Sequence, residues 1–430
     1  MVTLELPSWL WIVLIAALVA ASCSLVGSFL VLRRMAMLGD AISHAVLPGI
    51  AIAFLVTRSR NSVFMLIGAA LLGLVTTAIV EALSKNGRVR NDAAIGVTFT
   101  SLFALGVVLI SLYAHMVDLD LDCVLYGVIE YTPLYTWQVG NYDLGPQAFW
   151  QMLLVFALCL LSVGLFFKEL KLASFDPEMA TAVGINATLV HYGLMGLVSV
   201  TTVGAFEPVG AILVLAMLVV PPATGYLLFD DLKQMILAAV GCGVLSAALG
   251  YYMAQSLDAS TAGCMTVVAG GFFTLAFLFS PRHGLVTKLL AQRSFSRNVA
   301  REDALQALWR HGENLSTPQS LNATELAALT HYEVPGSRRV LRELRRTDMV
   351  KNQKDGYILT AEGERAAQEL VHRHRVYESY LEDLGYPADH LHEAADRAEH
   401  FISPHLEEAL DSAAGNPRTD PHGKEIPHEK

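Results

Sequence analysis

As far as about Pro281, this 430-residue chain is a succession of long apolar runs, each near the twenty or so residues that a bilayer core requires. They cover roughly Trp9–Leu32, Met35–Val56, Ser62–Leu83, Ala93–Ala114, Ala148–Phe167, Val190–Phe206, Val209–Phe229, Met235–Ala254 and Ala262–Phe279. Backbone polar groups in hydrocarbon must be paired within their own segment, so runs of this kind fold as helices. The number of spans is eight or nine, because the pair around Pro208 can be one broken or re-entrant helix. Beyond Pro281 the chain turns charged and polar, rich in Arg, Glu and His. The overall 53% hydrophobic content averages over these two unlike parts. The composition shift predicts an all-α polytopic membrane domain over residues 1–291 and a linker at 292–298. A winged-helix domain at 299–365 and a helical domain with its tail at 366–430 follow.

Basic residues set the orientation, since Lys and Arg concentrate in cytoplasmic loops. Arg33/Arg34, Lys85/Arg88/Arg90, Lys168/Lys171, Lys233 and Arg282/Lys288 mark cytoplasmic ends, with Arg58/Arg60 as the exception. Nine spans with an external N-terminus satisfy this pattern and leave everything after Pro281 in the cytosol. The first run is read as a span, not a secretory signal, because Glu5 precedes it, no basic region does, and it continues into Arg33 and Arg34. The five cysteines all lie in the apolar part, without CxxC or zinc-finger spacing, and read as small buried hydrophobes. A net charge of −10 argues against indiscriminate nucleic-acid binding but leaves room for a local basic face. No GxxxxGK[ST] string occurs, so the chain is not expected to be an enzyme that hydrolyses ATP by that route, and energy must come from a partner.

Within the apolar part, MAMLGDAISHAVLPG (35–49) places Asp40 and His44 four residues apart in a helix-competent run. Carboxylate and imidazole then share one helix face. Ionisable groups are costly in hydrocarbon and mark ion routes, although an Asp–His hydrogen bond locking two helices is the alternative. Gly39, Ala41, Ser43, Ala45 and Gly49 suit close helix packing in either case. The run VDLDLDC carries Asp118, Asp120 and Asp122, readable as a collecting site for divalent cations or as a solvated loop end. KELKLASFDPEMATAVGIN (168–186) is too polar to span and has a helix start at Asp176-Pro177 and a stop at Gly184. In GAFEPVGAILVLAMLVVPPATGYLL, Glu207, Pro208, Gly210 and the Pro221-Pro222 pair interrupt apolar helices. Broken helices are tolerated where they line protein or a cavity, which makes Glu207 a third candidate for the pathway.

The polar part opens with amphipathic helices at Arg301–His311 and Asn322–Thr330, Asn322 and Thr324 being available as caps. A helix at Pro335–Arg346 and a hairpin over Val350–Leu359, turning at Lys354-Asp355-Gly356, complete a winged-helix layout. Arg338, Arg339, Arg342, Arg345 and Arg346 stud the presumed recognition helix, where DNA contacts would need them. A protein-docking or dimer module has the same layout. Next, His374 and Glu378 are i, i+4; Asp396, Glu399 and His400 are i, i+3 and i+4; His392 lies one turn before Asp396. Two helices thus each present carboxylate and imidazole on one face, as a divalent-metal site between helices requires.

GDAISHAVLPG closely resembles the signature of the ABC-transporter permeases that import manganese, zinc or iron. The resemblance implies that Asp40 and His44 lie on the metal's path, as gate or transit ligands. It extends to the Glu207 stretch and an acidic stretch like that at Asp118–Asp122. It also makes Phe175, Asp176, Pro177 and Glu178 part of the segment that couples to the ATPase. The partners it implies are an ABC ATPase subunit, an extracytoplasmic metal-binding protein, and a second permease copy or homologous permease. The location is a bacterial cytoplasmic membrane. From Arg301 to about Pro427, LTAEG, HRHRVYE, HEAADRAEH and NPRTDPHGKEIP resemble the metal-dependent repressors of the diphtheria-toxin-repressor and manganese-regulator type. By matching position, Asp303, His374, Asp396, Glu399 and His400 fall on metal ligands there, and Glu378 and His392 on an ancillary site. Where the iron-sensing branch has Met and Cys, Asp303 and Asp396 offer hard oxygens that favour Mn²⁺. Gln306 stands where the manganese branch has an acid, which leaves a two-metal cluster open. No counterpart of the SH3-like third domain of the longer repressors is expected. The expected whole is a permease for a divalent metal, manganese ahead of zinc or iron, with a fused metal-sensing domain that regulates transport. The alternative is a membrane-tethered, metal-dependent DNA-binding regulator.

Overall fold

A computed structural model describes residues 6–57, 62–86, 89–113, 129–139, 142–313, 320–353, 356–387 and 390–427. Asp118, Asp120, Asp122, Arg58, Arg60, Arg88 and the Lys354-Asp355 turn lie outside the described residues. Two compact units make up the chain, Met1–Lys288 and Leu289–Lys430.

The first unit is helical. Helices α1 (Ser8–Leu32), α2 (Ala36–Thr57), α3 (Ser62–Asn86) and α4 (Asn91–Tyr113) come first. A 3₁₀ turn, Ile129–Leu134, precedes a hairpin of β1 (Thr136–Val139) and β2 (Tyr142–Pro146). Then follow α5 (Gln147–Leu165), the short α6 (Phe167–Phe175) and α7 (Pro177–Ala182), α8 (Ala187–Leu228), α9 (Leu232–Leu257) and α10 (Thr261–Phe279). Among the described residues eight of these helices are long and apolar enough to cross a membrane. α1 is buried along most of its length, with Val19, Cys23, Val26, Phe29 and Leu30 inaccessible to solvent. Small residues allow this. A Cβ on Gly27 would fall 2.0 Å from the Leu218 carbonyl oxygen of α8, so only glycine permits that backbone approach. The contact between α2 and α3 is built likewise, with Gly49 and Gly68 against each other's backbone.

The two runs on either side of Pro208 form one 42-residue stretch, α8. At 1.5 Å per residue, 42 helical residues would span about 63 Å if straight, twice the thickness of the hydrocarbon core. Its interruption falls at Gly210, whose φ of 78° and ψ of 164° leave the helix. Pro208 lies two residues earlier and lacks an amide hydrogen. The other interruption expected from the sequence, at Pro221-Pro222, does not depart from helical dihedrals.

The second unit takes up a helix that starts earlier, α11 (Leu285–Gly312). Residues 292–298, expected as a linker, are helical within it; QRSFSRN contains neither glycine nor proline, and nothing in it stops a helix already begun. α12 (Ala323–Thr330) starts with a capping box in which Asn322 accepts from the Thr324 and Glu325 amides while Glu325 Oε2 accepts from the Asn322 amide at 2.8 Å. α13 (Val334–Arg346) buries Ser337, Leu341 and Leu344 and leaves its arginines outside. Strands β3 (Val350–Gln353) and β4 (Gly356–Leu359) pair antiparallel, Val350 opposite Leu359. Tyr357 and Leu321 exchange backbone hydrogen bonds at 3.1 and 2.9 Å, tying the hairpin to the helices. The core here joins Leu305, Leu308, Leu321, Leu326, Leu341, Leu344 and Val350 to Ala367 and Leu370 of α14 (Ala361–Asp383). α15 (Leu391–Ala398), a 3₁₀ turn (Glu399–Phe401) and α16 (Pro404–Ala413) complete the unit.

Candidate metal centres

In α2, His44 Nε2 stands 3.5 Å from Asp40 Oδ1, beyond ordinary hydrogen-bond length, and both side chains are half-buried. The imidazole stacks on Phe99 of α4 with centroids 5.3 Å apart and meets Phe103 edge-on at 5.8 Å. These rings set its plane without consuming a ring nitrogen. Pro48 sits four residues after His44 inside the same helix. Having no N–H, it cannot serve the His44 carbonyl, so the helix carries one spare acceptor beside the pair. Glu207 is exposed in α8, three residues before the Gly210 break.

The polar segment between α5 and α8 folds as the two short helices α6 and α7. Asp176 separates them, and its side chain accepts from the Met179 amide at 2.9 Å, with Pro177 opening α7. Phe175, Met179 and Val183 are more than half exposed, an apolar group on an otherwise polar surface. Glu178 is exposed beside them. Arg33 at the end of α1 donates to Ser174 Oγ of α6 at 3.0 Å, which fixes the segment to the helix bundle.

In the second unit, α11, α14, α15 and the 3₁₀ turn bring acids and imidazoles together in three overlapping groups: His374, Glu378 and His392; Asp303, Glu399 and His400; and His374, Asp396 and Glu399. Within each group the donor atoms lie within 4.8 Å of one another. His374 is fully buried and divides its ring nitrogens. Nδ1 lies 2.5 Å from Glu399 Oε2, while Nε2 lies 3.1 Å from Glu378 Oε1 and 3.0 Å from His392 Nδ1. His400 Nε2 is 3.2 Å from Asp303 Oδ1, and its Nδ1 is 2.7 Å from Glu302 Oε2. The resemblance groups the five residues other than Glu378 and His392 as one site; in the structure Asp396 groups with His374 and Glu399, which link it to the other two sets.

Electrostatics follow from this crowding. Hydrogen bonds to Asp303 and Glu302 push the His400 imidazole up to about 10, against a smaller opposing effect of burial. Burial alone would lower His374, but its bonds to Glu378 and Glu399 prevail and raise it. Burial also works to raise Glu378; the two histidines beside it outweigh that and hold it well below the usual carboxylate range. Protons on imidazole therefore balance the clustered carboxylates. A divalent cation can take over that role, because neighbouring ligands of an octahedral ion at about 2.1 Å sit about 3 Å apart, close to the spacings found here. The donors fit such an ion, hard carboxylate oxygens with imidazole and no thiolate.

Three participants are not apparent from residue spacing. Glu302 holds His400; Tyr332 Oη donates to Asp303 Oδ2 at 2.6 Å; and the buried Gln306 donates Nε2–H to Glu399 Oε2 at 3.3 Å. Their contacts cross up to 98 positions of sequence. Arg338, Arg339 and Arg342 are all exposed on α13.

The membrane unit, with its carboxylate–imidazole pair in α2, and the second unit, with its clustered acids and histidines, are each similar to known proteins. The chain belongs to the ABC 3 transport family, whose model matches residues 6–280. Residues 360–428 match the metal binding and dimerisation domain of iron dependent repressors. The manganese transport system membrane protein MntD of Bacillus subtilis is 50% identical over 290 residues, 67% of this chain and 98% of that protein. The zinc transport system membrane protein TroD of Treponema pallidum is 39% identical over 359 residues, 83% of this chain and 97% of that protein. Among solved structures, PsaBC from Streptococcus pneumoniae in complex with Fab matches with a TM-score of 0.55 and 33% identity, covering 65% of this chain and 94% of that one.

Proposed function

We propose that this chain is the membrane subunit of an importer for a divalent transition metal, manganese ahead of zinc or iron, and that its second unit binds the same class of ion in the cytosol. The observation that carries the reading is one chemistry in both units: carboxylate with imidazole in α2, and the same pair of ligand types clustered in α11, α14 and α15. Carboxylate, imidazole and a spare carbonyl hold Mn²⁺ or Zn²⁺ without the trapping strength of a thiolate cage. The cargo, delivered by an extracytoplasmic metal-binding protein, passes Asp40 and His44, with Glu207 further along the path. A second permease, the same chain or a homologue, covers the half-exposed face of the pair. A separate ATPase docks on Phe175, Asp176, Pro177 and Glu178, where exposed apolar side chains on capped short helices offer a contact surface. The protein resides in a bacterial cytoplasmic membrane with the second unit in the cytosol, which requires α8 to count as two spans.

In the second unit Asp303, Asp396, Glu399 and His400 hold the ion with His374, and Glu378 and His392 form the ancillary set. Filling these sites slows uptake from behind. The five exposed arginines of α13 favour one further reading, a tethered regulator in which Arg338, Arg339 and Arg342 contact DNA.

The test is uptake of radiolabelled manganese by cells carrying this permease with its ATPase and binding protein. Asp40→Asn should abolish uptake at unchanged membrane abundance; unchanged uptake removes Asp40 from the path. A wild-type chain that moves neither manganese, zinc nor iron overturns the importer reading and leaves the tethered regulator.

A further inference from the structure

The two carboxylate oxygens of Asp303 have different neighbours. Oδ1 faces His400 Nε2 at 3.2 Å, inside the group that includes Glu399. Oδ2 accepts the 2.6 Å hydrogen bond from Tyr332 Oη. Tyr332 comes from neither helix of that group. It lies in the three-residue turn His331–Glu333 that joins α12 to α13. This turn has little slack. His331 ends α12 in the left-handed region at φ 56°, Glu333 is the N-cap of α13, and Pro335 occupies its first turn. The phenol and the start of α13 therefore move together. Tyr332 is 39% exposed, and its hydroxyl bond to Asp303 ties it to α11.

We propose that Tyr332 is the positioning residue that passes metal occupancy at Asp303 to helix α13. The inference rests on the reading of Asp303 as a metal ligand. A cation at Oδ1 fixes the carboxylate plane, and Oδ2 then holds the phenol in one place. Outer-shell bonds of this kind ordinarily orient the ligand. Here the donor belongs to a different element, so fixing the ligand also fixes that element's first turn. Without the ion, His400 and Tyr332 are left to orient Asp303 among the described residues, and the turn is held less firmly. The arginines of α13 begin one turn further on, at Arg338, so whatever they contact feels the change.

The experiment is backbone hydrogen exchange on the full-length chain in lipid nanodiscs, with and without Mn²⁺, for wild type, Tyr332→Phe and Asp303→Asn. Manganese binding is measured on the same samples by calorimetry. In wild type, saturating Mn²⁺ slows exchange at residues 334–341. Tyr332→Phe keeps the ring, binds Mn²⁺ with affinity weakened by about 10- to 100-fold, and at saturation loses the Mn²⁺-dependent slowing at 334–341. Unchanged exchange at Leu341 and Leu344 in its metal-free form shows that the fold is intact. If Tyr332→Phe retains the wild-type response at saturation, the link is overturned. A wild type that binds Mn²⁺ with no change at 334–341 also overturns it, leaving the metal site standing. If Asp303→Asn binds Mn²⁺ as wild type does, or wild type binds none, the metal reading fails and the link with it.

Discussion

His400 shows how much of the second unit's chemistry depends on a single proton. Its imidazole sits between Glu302 and Asp303 and titrates near 10, above the ordinary value of 6.5. A raised folded-state value means that the bound proton stabilises the fold fully below about 6.5 and that this stabilisation is lost as pH rises through about 10. The unfolding midpoint of the metal-free second unit, followed by circular dichroism in the full chain, should therefore fall between pH 7 and 10. His400→Gln should be less stable at pH 7 and should flatten that dependence. An undiminished fall in the variant would assign the titration to another group. Residue spacing identifies His400 as facing a metal site, because its neighbours at i−1 and i−4 are acids on the same helical stretch. It does not identify Glu302 or Tyr332. Nothing local marks a glutamate beside Asp303, or a tyrosine in a turn, as partners of a site assembled from three distant segments.

Among elements, α8 has the clearest local cause. Gly210 combines φ of 78° with ψ of 164°, a region that non-glycine residues essentially do not enter. Gly210→Ala should destabilise the membrane unit by about 1–3 kcal/mol, read as a lowered thermal midpoint in detergent. An unaltered midpoint would mean that the break does not need this conformation. The sequence marks this neighbourhood as broken, but it offers Pro208, Gly210 and Pro221-Pro222 equally. Buried Val209 and Leu213 pack the stretch on both sides of Gly210, and the strain settles on the residue without a Cβ. Helices α12 and α13 were legible to within a residue, because Asn322 with Glu325 forms a capping box and Pro335 suits a first turn. Residues 292–298 were not. Their polarity resembles a linker, yet a helix entering from Leu285 needs a stop signal to end, and there is none.

For the whole molecule, the question is whether the second unit governs the first. Uptake in proteoliposomes loaded with Mn²⁺ on the side of the second unit should be slower than in unloaded ones. His374→Ala, which removes the imidazole shared by two of the three ligand groups, should abolish the difference without lowering the unloaded rate. Equal inhibition in the variant would place the effect elsewhere. The division into an apolar and a polar half was plain from composition, since burial in lipid and in water select opposite residues. The 3₁₀ turn and the small hairpin between α4 and α5 were not, because short irregular elements lack a period to detect.

The helix α11 runs without interruption from Leu285, within the membrane unit, to Gly312, and carries Asp303 on the way. Detector and conduit are thus one polypeptide, made in a fixed ratio of one to one. A diffusible regulator is diluted when its target is overproduced and has to search for it. If the second unit governs uptake as proposed, neither happens here: raising or lowering expression changes the number of gates without changing the number of gauges per gate.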